Sequence, residues 1–314
     1  MKVTTKEAIL YVPRGSPLEE DGPGMIRPWQ PWLAGNAGEA LNFFEGHRAK
    51  VGVFEIFRSA DFLLGWAQVP GEPDLEVAAG KLYGQMLQVA AGRSLYHIWN
   101  WVPAINACST EGEEHYRLFC KGRAQGFEAV CGRGFEGRLP SASAVGHGGE
   151  SLMICFVAGR HEVRHFENPE QVPAWRYPPR YGPRSPSFAR ASLVDTPSGP
   201  FLWVSGTASI KGSDSVFPGN LEGQVETTIS NLGLILERTG GSLCRPSVDE
   251  RRYFRVYLRD RRNLRAAQRR LQDSVFRPGD SVVWVEAEIC RSELEIEIEL
   301  TVYPPGVALP EVAR

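Results

Sequence analysis

The chain has 314 residues, enough for two domains of ordinary size, and its 35 lysines and arginines nearly balance 37 aspartates and glutamates, giving a formal charge of -2. Because neither sign gathers in a long block, the sequence argues against a nucleic-acid or membrane partner. Residues 1–15 lack the apolar core of a secretory signal and no segment is apolar over a membrane's thickness, so we expect a cytoplasmic protein.

Two strands, a helix, a strand, a helix and a strand are predicted in the first half. Leu75, Ala79, Leu82, Met86 and Val89 recur at steps of three and four, the period of a helix that buries one face. In chain order the predicted elements are strands 51–57 and 63–69, helix 75–91, strand 95–102, helix 113–130 and strand 152–157. The order of this half is therefore β-β-α-β-α-β.

Residues 167–187 separate the two halves of the chain and define the predicted domains 1–166 and 188–314. Six prolines fall in this segment, and their fixed φ angles forbid a continuous helix or a central strand. Aromatic and arginine side chains alternate there: Trp175, Tyr177 and Tyr181 with Arg176, Arg180 and Arg184. Two interpretations stay open, a strap packed on both domains and a strap that also forms the wall of a site.

The second half repeats the order of the first. Gly240 and Gly241 end its first helix, because glycine readily adopts the left-handed conformation that closes a helix. The predicted elements are strands 188–194 and 201–210, helix 221–238, strand 253–258, helix 261–275, and strands 282–289 and 294–302. We therefore predict an α+β protein of two fused units, with mixed sheets and with helices packed on one face of each sheet.

Four cations stand among aromatic and small residues without carboxylates that would neutralise them. Lys121 and Arg123 lie in YRLFCKGRAQGF, and Arg184 and Arg190 lie in RYGPRSPSFARAS. Arginine suits a carboxylate because its planar fork donates two parallel hydrogen bonds. These residues are candidates for binding a small anion, although a solvent-exposed helix face is the alternative for Lys121 and Arg123.

A second candidate segment is SGTASIKG, residues 205–212, which follows a predicted strand. Gly206 lets the backbone approach a ligand closely, and Ser205 and Thr207 offer hydroxyl groups beside it. A β-bulge followed by a turn is the alternative interpretation. The segment lacks the ending of a P-loop, and residues 146–153 lack the spacing of a nucleophile elbow, so nucleotide binding is not expected.

Metal ions and other cofactors are not expected either. The six cysteines contain no CxxC pair and the six histidines form no HExxH motif, which argues against a zinc site and a disulfide framework. We predict reduced thiols and a cofactor-free protein.

The last predicted strand carries four carboxylates on one face, because side chains alternate along a strand: Glu293, Glu295, Glu297 and Glu299. A solvated face or a protected sheet edge is the simpler interpretation. If one of them lies in a closed cleft, burial and its like-charged neighbours raise its pKa and make it a general acid near neutral pH. The pattern alone does not select which one.

Several motifs in collinear order resemble the chorismatases, a family that includes 3-hydroxybenzoate synthases and enzymes that form dihydroxycyclohexadiene carboxylates. They are HIWNWVPAIN (97–106), YRLFCKGRAQGF (116–127), LPSASAVGHGG (139–149), ENPEQVPAWRYPPRYGPRSPSFARAS (167–192) and FLWVSGTASIKG (201–212). The second half is also similar to the reactive-imine deaminases, whose domains resemble bacterial chorismate mutase. The resemblance to the chorismatases extends from about residue 95 to residue 303.

The resemblance implies a cofactor-free enzyme that removes pyruvate from chorismate. It implies that Glu297 protonates the enol-ether methylene, and that Cys290 lines the ring pocket and favours 3-hydroxybenzoate as the product. The residues predicted to bind the substrate are Lys121, Arg123, Tyr177, Tyr181, Arg184, Arg190, Ser205, Gly206 and Thr207.

Other outcomes remain open. Chorismate hydrolysis to 3,4-dihydroxycyclohexa-1,5-diene carboxylate, or formation of 4-hydroxybenzoate, would use the same site. A non-catalytic small-molecule-binding protein on the imine-deaminase scaffold would not need Glu297. Imine deamination is disfavoured, because the arginine with which those deaminases hold a carboxylate is not evident in residues 285–297. The single-unit relatives that the resemblance points to form trimers, and two fused units can make part of that interface within one chain. A monomer is therefore plausible and an oligomer is possible.

Overall fold

The computed structural model of the protein describes residues 6–10, 47–58, 61–71, 74–243, 247 and 250–305. Strands and helices alternate along these ranges. The strands are β1 (Lys6–Leu10), β2 (His47–Val51), β3 (Phe54–Arg58), β4 (Phe62–Pro70), β5 (Ser94–Pro103), β6 (Ser141–His147), β7 (Ser151–Gly159), β8 (Val163–Phe166), β9 (Ala191–Thr196), β10 (Gly199–Ala208), β11 (Ile210–Lys211), β12 (Asp214–Ser215), β13 (Arg251–Leu258), β14 (Ser281–Glu286) and β15 (Ile296–Tyr303). The helices are α1 (Leu75–Val89), α2 (His115–Cys131), α3 (Leu221–Arg238) and α4 (Leu264–Ser274).

The N-terminal sheet has the strand order β2-β3-β4-β7-β5-β6 and carries α1 and α2 on one face. Asp74 begins α1 by accepting a hydrogen bond from the backbone N–H of Val77 at 3.0 Å, which satisfies a free donor of the first turn. The apolar stripe predicted for this helix is buried, including Leu75, Leu82 and Met86. The helical period in the sequence therefore corresponds to one face packed on the sheet.

The C-terminal sheet has the strand order β1-β14-β13-β15-β10-β9-β8 and carries α3 and α4 on one face. Asn220 begins α3 by accepting a hydrogen bond from the N–H of Gly223 at 3.0 Å. Strand β15 lies near the centre of the sheet, antiparallel to both β13 and β10. Any side chain on β15 is consequently enclosed by a strand on either side.

The two sheets pack face to face, so the molecule has the layer order α-β-β-α. Aromatic residues from both sheets fill the space between them, and the rings of Tyr96 and Trp203 stack with centroids 5.6 Å apart. A hydrogen bond from Trp99 Nε1 to Glu299 Oε2 at 2.9 Å also joins the sheets. This arrangement confirms the predicted α+β class, with helices on one face of each sheet.

Some elements differ from the sequence prediction. The predicted strand 51–57 is a hairpin, since β2 ends at Val51 and β3 begins at Phe54. Strand β6 was missed because its sequence, SASAVGH, has few of the large apolar side chains by which strands are recognised. The predicted helix 261–275 starts at Leu264, after a 3-10 turn capped by Asp260. The first half is therefore longer than β-β-α-β-α-β.

The C-terminal sheet is built across the predicted domain boundary, whereas the N-terminal sheet lies wholly before it. Strand β1 pairs in parallel with β14, and β8 pairs antiparallel with β9, so strands that precede residue 167 belong to the C-terminal sheet. The division into 1–166, 167–187 and 188–314 remains a prediction about sequence units. None of the helices in the described ranges is long and apolar enough to cross a membrane.

Candidate active site

A cavity of about 290 Å³ lies where the two halves meet, next to the centre of the C-terminal sheet. The start of α2, the segment that precedes β9, the end of β10 and the loop before β15 form its wall. Among the predicted site residues, the structure brings six together in this wall: Tyr177, Tyr181, Arg190, Gly206, Cys290 and Glu297. The candidate general acid, Glu297, and the candidate anion-binding residue Arg190 therefore line the same cavity.

Glu297 is the buried carboxyl of this wall. It lies on β15, opposite Tyr257 of β13 and Ala208 of β10, and only 3% of its surface is exposed. Burial and the neighbouring Glu299 raise its pKa to about 8, although Arg190 opposes the shift. At neutral pH Glu297 is therefore mostly protonated, as a general acid has to be.

The row of four carboxylates is not a solvated strand face. Glu293 and Glu295 precede β15, whereas Glu297 and Glu299 lie within it and are buried. The simpler interpretation of the sequence is therefore wrong for those two residues. Burial on both faces of a central strand is not visible in an alternating pattern of acidic and apolar residues.

A β-bulge in β10 makes room for Glu297. The pairing of β10 with β15 shifts between Val204 and Thr207, so β10 contains one extra residue there. Gly206 lies in this bulge, and a Cβ atom at that position would come 2.7 Å from Cδ of Glu297. Only glycine leaves the space that the Glu297 carboxyl occupies. The bulge interpretation of segment 205–212 therefore holds, and close approach of a ligand at Gly206 stays a prediction.

Arg190 is a buried cation whose guanidinium is fixed by the strap. Its Nη2 donates to the hydroxyl of Tyr177 at 2.7 Å and to the carbonyl of Val172 at 3.4 Å. Its Nε lies 3.9 Å from Oε2 of Glu167, which is too long for a hydrogen bond. Arg190 therefore keeps part of its donor capacity for a bound anion.

Arg291 is a second cation of the cavity, and the sequence analysis missed it. Its guanidinium lies 4.0 Å from the ring centroid of Tyr181, and Nη1 donates to the carbonyl of Ser213 at 2.9 Å and to Ser215 Oγ at 3.1 Å. Within the described residues no carboxylate lies within 4 Å of it. The positive charge of Arg291 is thus available to a substrate carboxylate.

The strap both packs on the protein and lines the cavity. Its backbone pairs with the β11–β12 hairpin, since the N–H of Val172 donates to the carbonyl of Gly212 at 2.9 Å. Arg180 forms an ion pair with Asp214 of that hairpin at 2.5 Å. Residues 167–187 therefore pack on the protein and line the cavity, and their part in a substrate site stays a prediction.

The loop between β14 and β15 carries Cys290 and Arg291, and hydrogen bonds from Arg259 hold its backbone. The guanidinium of Arg259 donates to the carbonyls of Ile289, Arg291 and Leu294 at 3.1, 2.7 and 2.7 Å. Burial, together with Glu297, raises the pKa of the Cys290 thiol to about 12. Cys290 is consequently a neutral, weakly polar part of the wall.

Two predicted cations lie outside the cavity wall and are neutralised by distant carboxylates. Lys121 of α2 forms an ion pair with Glu76 of α1 at 2.8 Å. Arg184 forms an ion pair with Glu128 of α2 at 3.0 Å. The absence of neighbouring carboxylates in the sequence was misleading, because both partners come from elsewhere in the chain.

Three further predicted residues also lie outside the wall. Arg123 is buried in α2 between the rings of Phe119 and Phe188, at 5.0 and 6.0 Å from their centroids. The hydroxyl of Ser205 donates to the carbonyl of Ala189 and accepts from the N–H of Ala142, which stitches β10 to β6. Thr207 donates to the carbonyl of Ser205. The hydroxyl groups of Ser205 and Thr207 are thus used within the protein, whereas Arg123 Nε is buried without a hydrogen-bond partner in the described structure.

The sequence is similar to known chorismatases and to a 3-hydroxybenzoate synthase. The family described as "Chorismatase FkbO/Hyg5-like, N-terminal" matches residues 45–158. A 3-hydroxybenzoate synthase of Streptomyces hygroscopicus is 34% identical over 226 residues, which cover 68% of this chain and only 65% of that protein. A chorismatase of Streptomyces rapamycinicus is 32% identical over 258 residues, which cover 77% of this chain and 75% of that protein.

Among solved structures, the crystal structure of a chorismatase superposes with a TM-score of 0.75. It is 29% identical in sequence, and the match covers 82% of this chain and 79% of that one. The whole α-β-β-α arrangement, rather than one half of it, is therefore shared with that structure.

Proposed function

The chain belongs to the chorismatase family, and on that premise we propose that it converts chorismate into pyruvate and 3-hydroxybenzoate by general-acid protonation of the enol ether. The observation that carries the proposal is the buried carboxyl of Glu297, whose pKa is raised to about 8, in a cavity that also holds Arg190 and Arg291. A cavity of about 290 Å³ is small, as a ten-carbon diacid requires.

The chemistry begins with a proton transfer to the methylene carbon of the enolpyruvyl group. Glu297 donates the proton, the ether carbon becomes an oxocarbenium ion, and the ring C3–O bond breaks, so the ether oxygen leaves as the keto oxygen of pyruvate. For 3-hydroxybenzoate, the C4 hydroxyl oxygen bonds to C3 in its place and its bond to C4 breaks. Loss of a ring proton during aromatisation returns a proton to the carboxylate. Chorismate contains the same atoms as pyruvate plus 3-hydroxybenzoate, so no water is consumed in this outcome, whereas the diene-diol outcome consumes one.

The arginines have a separate task in this proposal. Chorismate carries two carboxylates, and two arginines of the wall can meet them. Arg190 has only the 3.9 Å contact of its Nε with Glu167, and Arg291 has no carboxylate within 4 Å in the described part of the chain. Charge-assisted hydrogen bonds from fixed arginines orient the substrate and add stabilisation in a site that excludes water. Positioned acid catalysis contributes roughly 10²–10⁴ to the rate, and orientation supplies more.

Incubating the purified full chain with chorismate tests the proposal directly. We expect pyruvate and 3-hydroxybenzoate in equal amounts, identified by chromatography. A protein that binds chorismate and releases no pyruvate would instead be the non-catalytic binder. Sedimentation would decide between a monomer and an oligomer, and fractionation of the native host would test the expected cytoplasmic location.

Product choice is expected to depend on Cys290. Its thiol packs beside Ala208 and Ile210 in the cavity wall, next to Glu297. Cys290→Ala enlarges the space around the ring and admits water, so we expect a larger share of the diene diol at the expense of 3-hydroxybenzoate. Chromatography of the products measures the ratio; Cys108→Ala, at an exposed thiol, is the matched control. An unchanged ratio in Cys290→Ala would refute this role.

Gly206→Ala is expected to slow turnover about 10- to 100-fold, because the added methyl group must displace the Glu297 carboxyl. The steady-state rate with chorismate measures the effect, and the circular dichroism spectrum checks the fold. Gly233→Ala is the matched control, since a Cβ atom there meets nothing within 4 Å. A Gly206→Ala protein as fast as the control would contradict the geometry.

A further inference from the structure

Glu297 has a second buried carboxylate beside it, Glu299, which the proposed mechanism does not use. The two are two residues apart on β15 and face the same side of the sheet. Across β13, Glu297 lies opposite Tyr257 and Glu299 opposite Arg255. Only 5% of the surface of Glu299 is exposed.

Three donors hold Glu299 in one position. Its Oε2 accepts from Arg255 Nη1 and from Trp99 Nε1, each at 2.9 Å, and its Oε1 accepts from the hydroxyl of Tyr257 at 2.8 Å. Arginine and tryptophan side chains can only donate, so Oε2 is an acceptor, and the hydroxyl of Tyr257 donates to Oε1. The ionised form of Glu299 satisfies all these partners.

Glu297 has the opposite surroundings. Within the described residues its carboxyl accepts no hydrogen bond and forms no ion pair, and Gly206 presents no side chain to it. Two equal carboxyl groups on one strand are therefore driven toward different protonation states by their environments. Such a pair is typical of sites in which one acid donates a proton and the other remains charged.

Building on the proposed function, we propose that Glu299 is a positioning residue whose fixed negative charge keeps Glu297 protonated and ready to donate. A like charge at close range disfavours ionisation, and the effect is strong where water is excluded. Arg255 offsets part of the charge of Glu299, so the balance of this ion pair sets the pH at which Glu297 loses its proton.

Most other groups around Glu297 do not titrate in the same range; the exception is Glu167, 3.9 Å from Arg190, whose pKa burial raises to about 7. Arg190 faces it from the residue before β9 and stays cationic, and burial raises the pKa of both Cys290 and Tyr257 far above neutrality. From β10, only Gly206 and Ala208 face it, and neither carries charge. Arg291 and Glu293 lie farther along the cavity wall.

Around Glu299, the charged and titratable neighbours are Arg255 and Tyr257 from β13 and His97 from β5. Burial and the charge of Arg255 lower the pKa of His97 well below 6.5, so its ring is neutral at working pH. Besides Glu297, whose pKa is raised to about 8, Glu167 beside Arg190 has its pKa raised to about 7, so a titration is assigned to Glu297 by its loss in Glu297→Gln.

The test is the pH dependence of kcat in Glu299→Gln. Without the negative charge, Glu297 ionises more readily, so the alkaline limb of the profile should move to lower pH by about one unit. The rate at pH 6 should stay within about twofold of the unsubstituted protein, and the rate above pH 8 should fall about tenfold. A role in packing alone would lower the rate at every pH and leave the limb in place.

Arg255→Gln provides a change of opposite sign and does not depend on the folding of the first variant. It keeps an N–H donor for Glu299 and removes the positive charge, so the alkaline limb should move to higher pH. If the alkaline limb of the pH profile has the same position in Glu299→Gln, in Arg255→Gln and in the unsubstituted protein, Glu299 does not have this role.

Infrared titration of the protein without substrate separates this inference from the proposed function. The carboxyl band that disappears in Glu297→Gln should vanish near pH 8 in the unsubstituted protein and at lower pH in Glu299→Gln. If that shift occurs and chorismate is not turned over, the proposed function fails and the inference stands. If chorismate is turned over and the band does not shift, the inference fails alone.

Discussion

Glu297→Gln is expected to lower the turnover of chorismate by at least about a hundredfold, the lower end of the contribution of a positioned general acid. Glutamine has nearly the same shape, and its amide cannot deliver a proton to the methylene carbon. The cations of the cavity remain, so chorismate should still bind, with a dissociation constant measurable by calorimetry. Rate and affinity should thus separate in this variant.

The pH dependence of the unsubstituted protein follows from the same residue. The active form of Glu297 is the protonated one, and its pKa is raised to about 8. The rate should therefore be level through neutral pH and fall as the pH rises through that value, because the ionised carboxylate has no proton to give. This alkaline limb should be absent from the residual activity of Glu297→Gln.

Glu295→Gln is the matched control, since Glu295 precedes β15 and does not line the cavity. It should turn over chorismate at close to the unsubstituted rate. Full activity in Glu297→Gln would mean that another group is the acid and would leave the mechanism without its proton donor.

Arg190→Met is expected to lower kcat/KM by about 10²–10³, since removal of one partner from a buried charge contact commonly costs a few kcal/mol. The loss arises because a substrate carboxylate would be left without its cation in a buried wall. Arg190→Lys should recover part of the activity, because lysine restores the charge without the planar pair of donors. Initial rates over a range of chorismate concentrations measure both variants.

Arg184 provides the control for Arg190, and it also tests whether the sequence or the structure identifies the substrate-binding arginine correctly. Arg184 stands in the same motif and was predicted to bind substrate, yet it pairs with Glu128 outside the cavity. Arg184→Met should therefore change kcat/KM by less than about threefold, as exposed ion pairs contribute little. A large loss in Arg184→Met together with a small one in Arg190→Met would reverse the assignment made from the structure.

Recognition of the family and most of the helices and strands did not require the tertiary structure. The spacing of apolar residues reports which face of a segment is buried, and α3 begins and ends at the residues predicted for it, 221 and 238. Gly206 was named from the segment 205–212, and Glu297 and Cys290 from the resemblance to the chorismatases; the structure places all three in one cavity wall. Local periodicity and collinear motifs are properties of the chain itself, which is why they could be read from it.

Only the tertiary structure decided which charged groups face the cavity. Lys121 and Arg184 have no carboxylate nearby in the sequence, but folding brings Glu76 and Glu128 to them. In contrast, Arg291 lies two residues from Glu293 in the sequence and still has no carboxylate within 4 Å in the described structure. The decisive partner of Glu299 is Trp99, 200 residues away on the other sheet. The strength of a charge interaction depends on distance and burial in space, and separation along the chain determines neither.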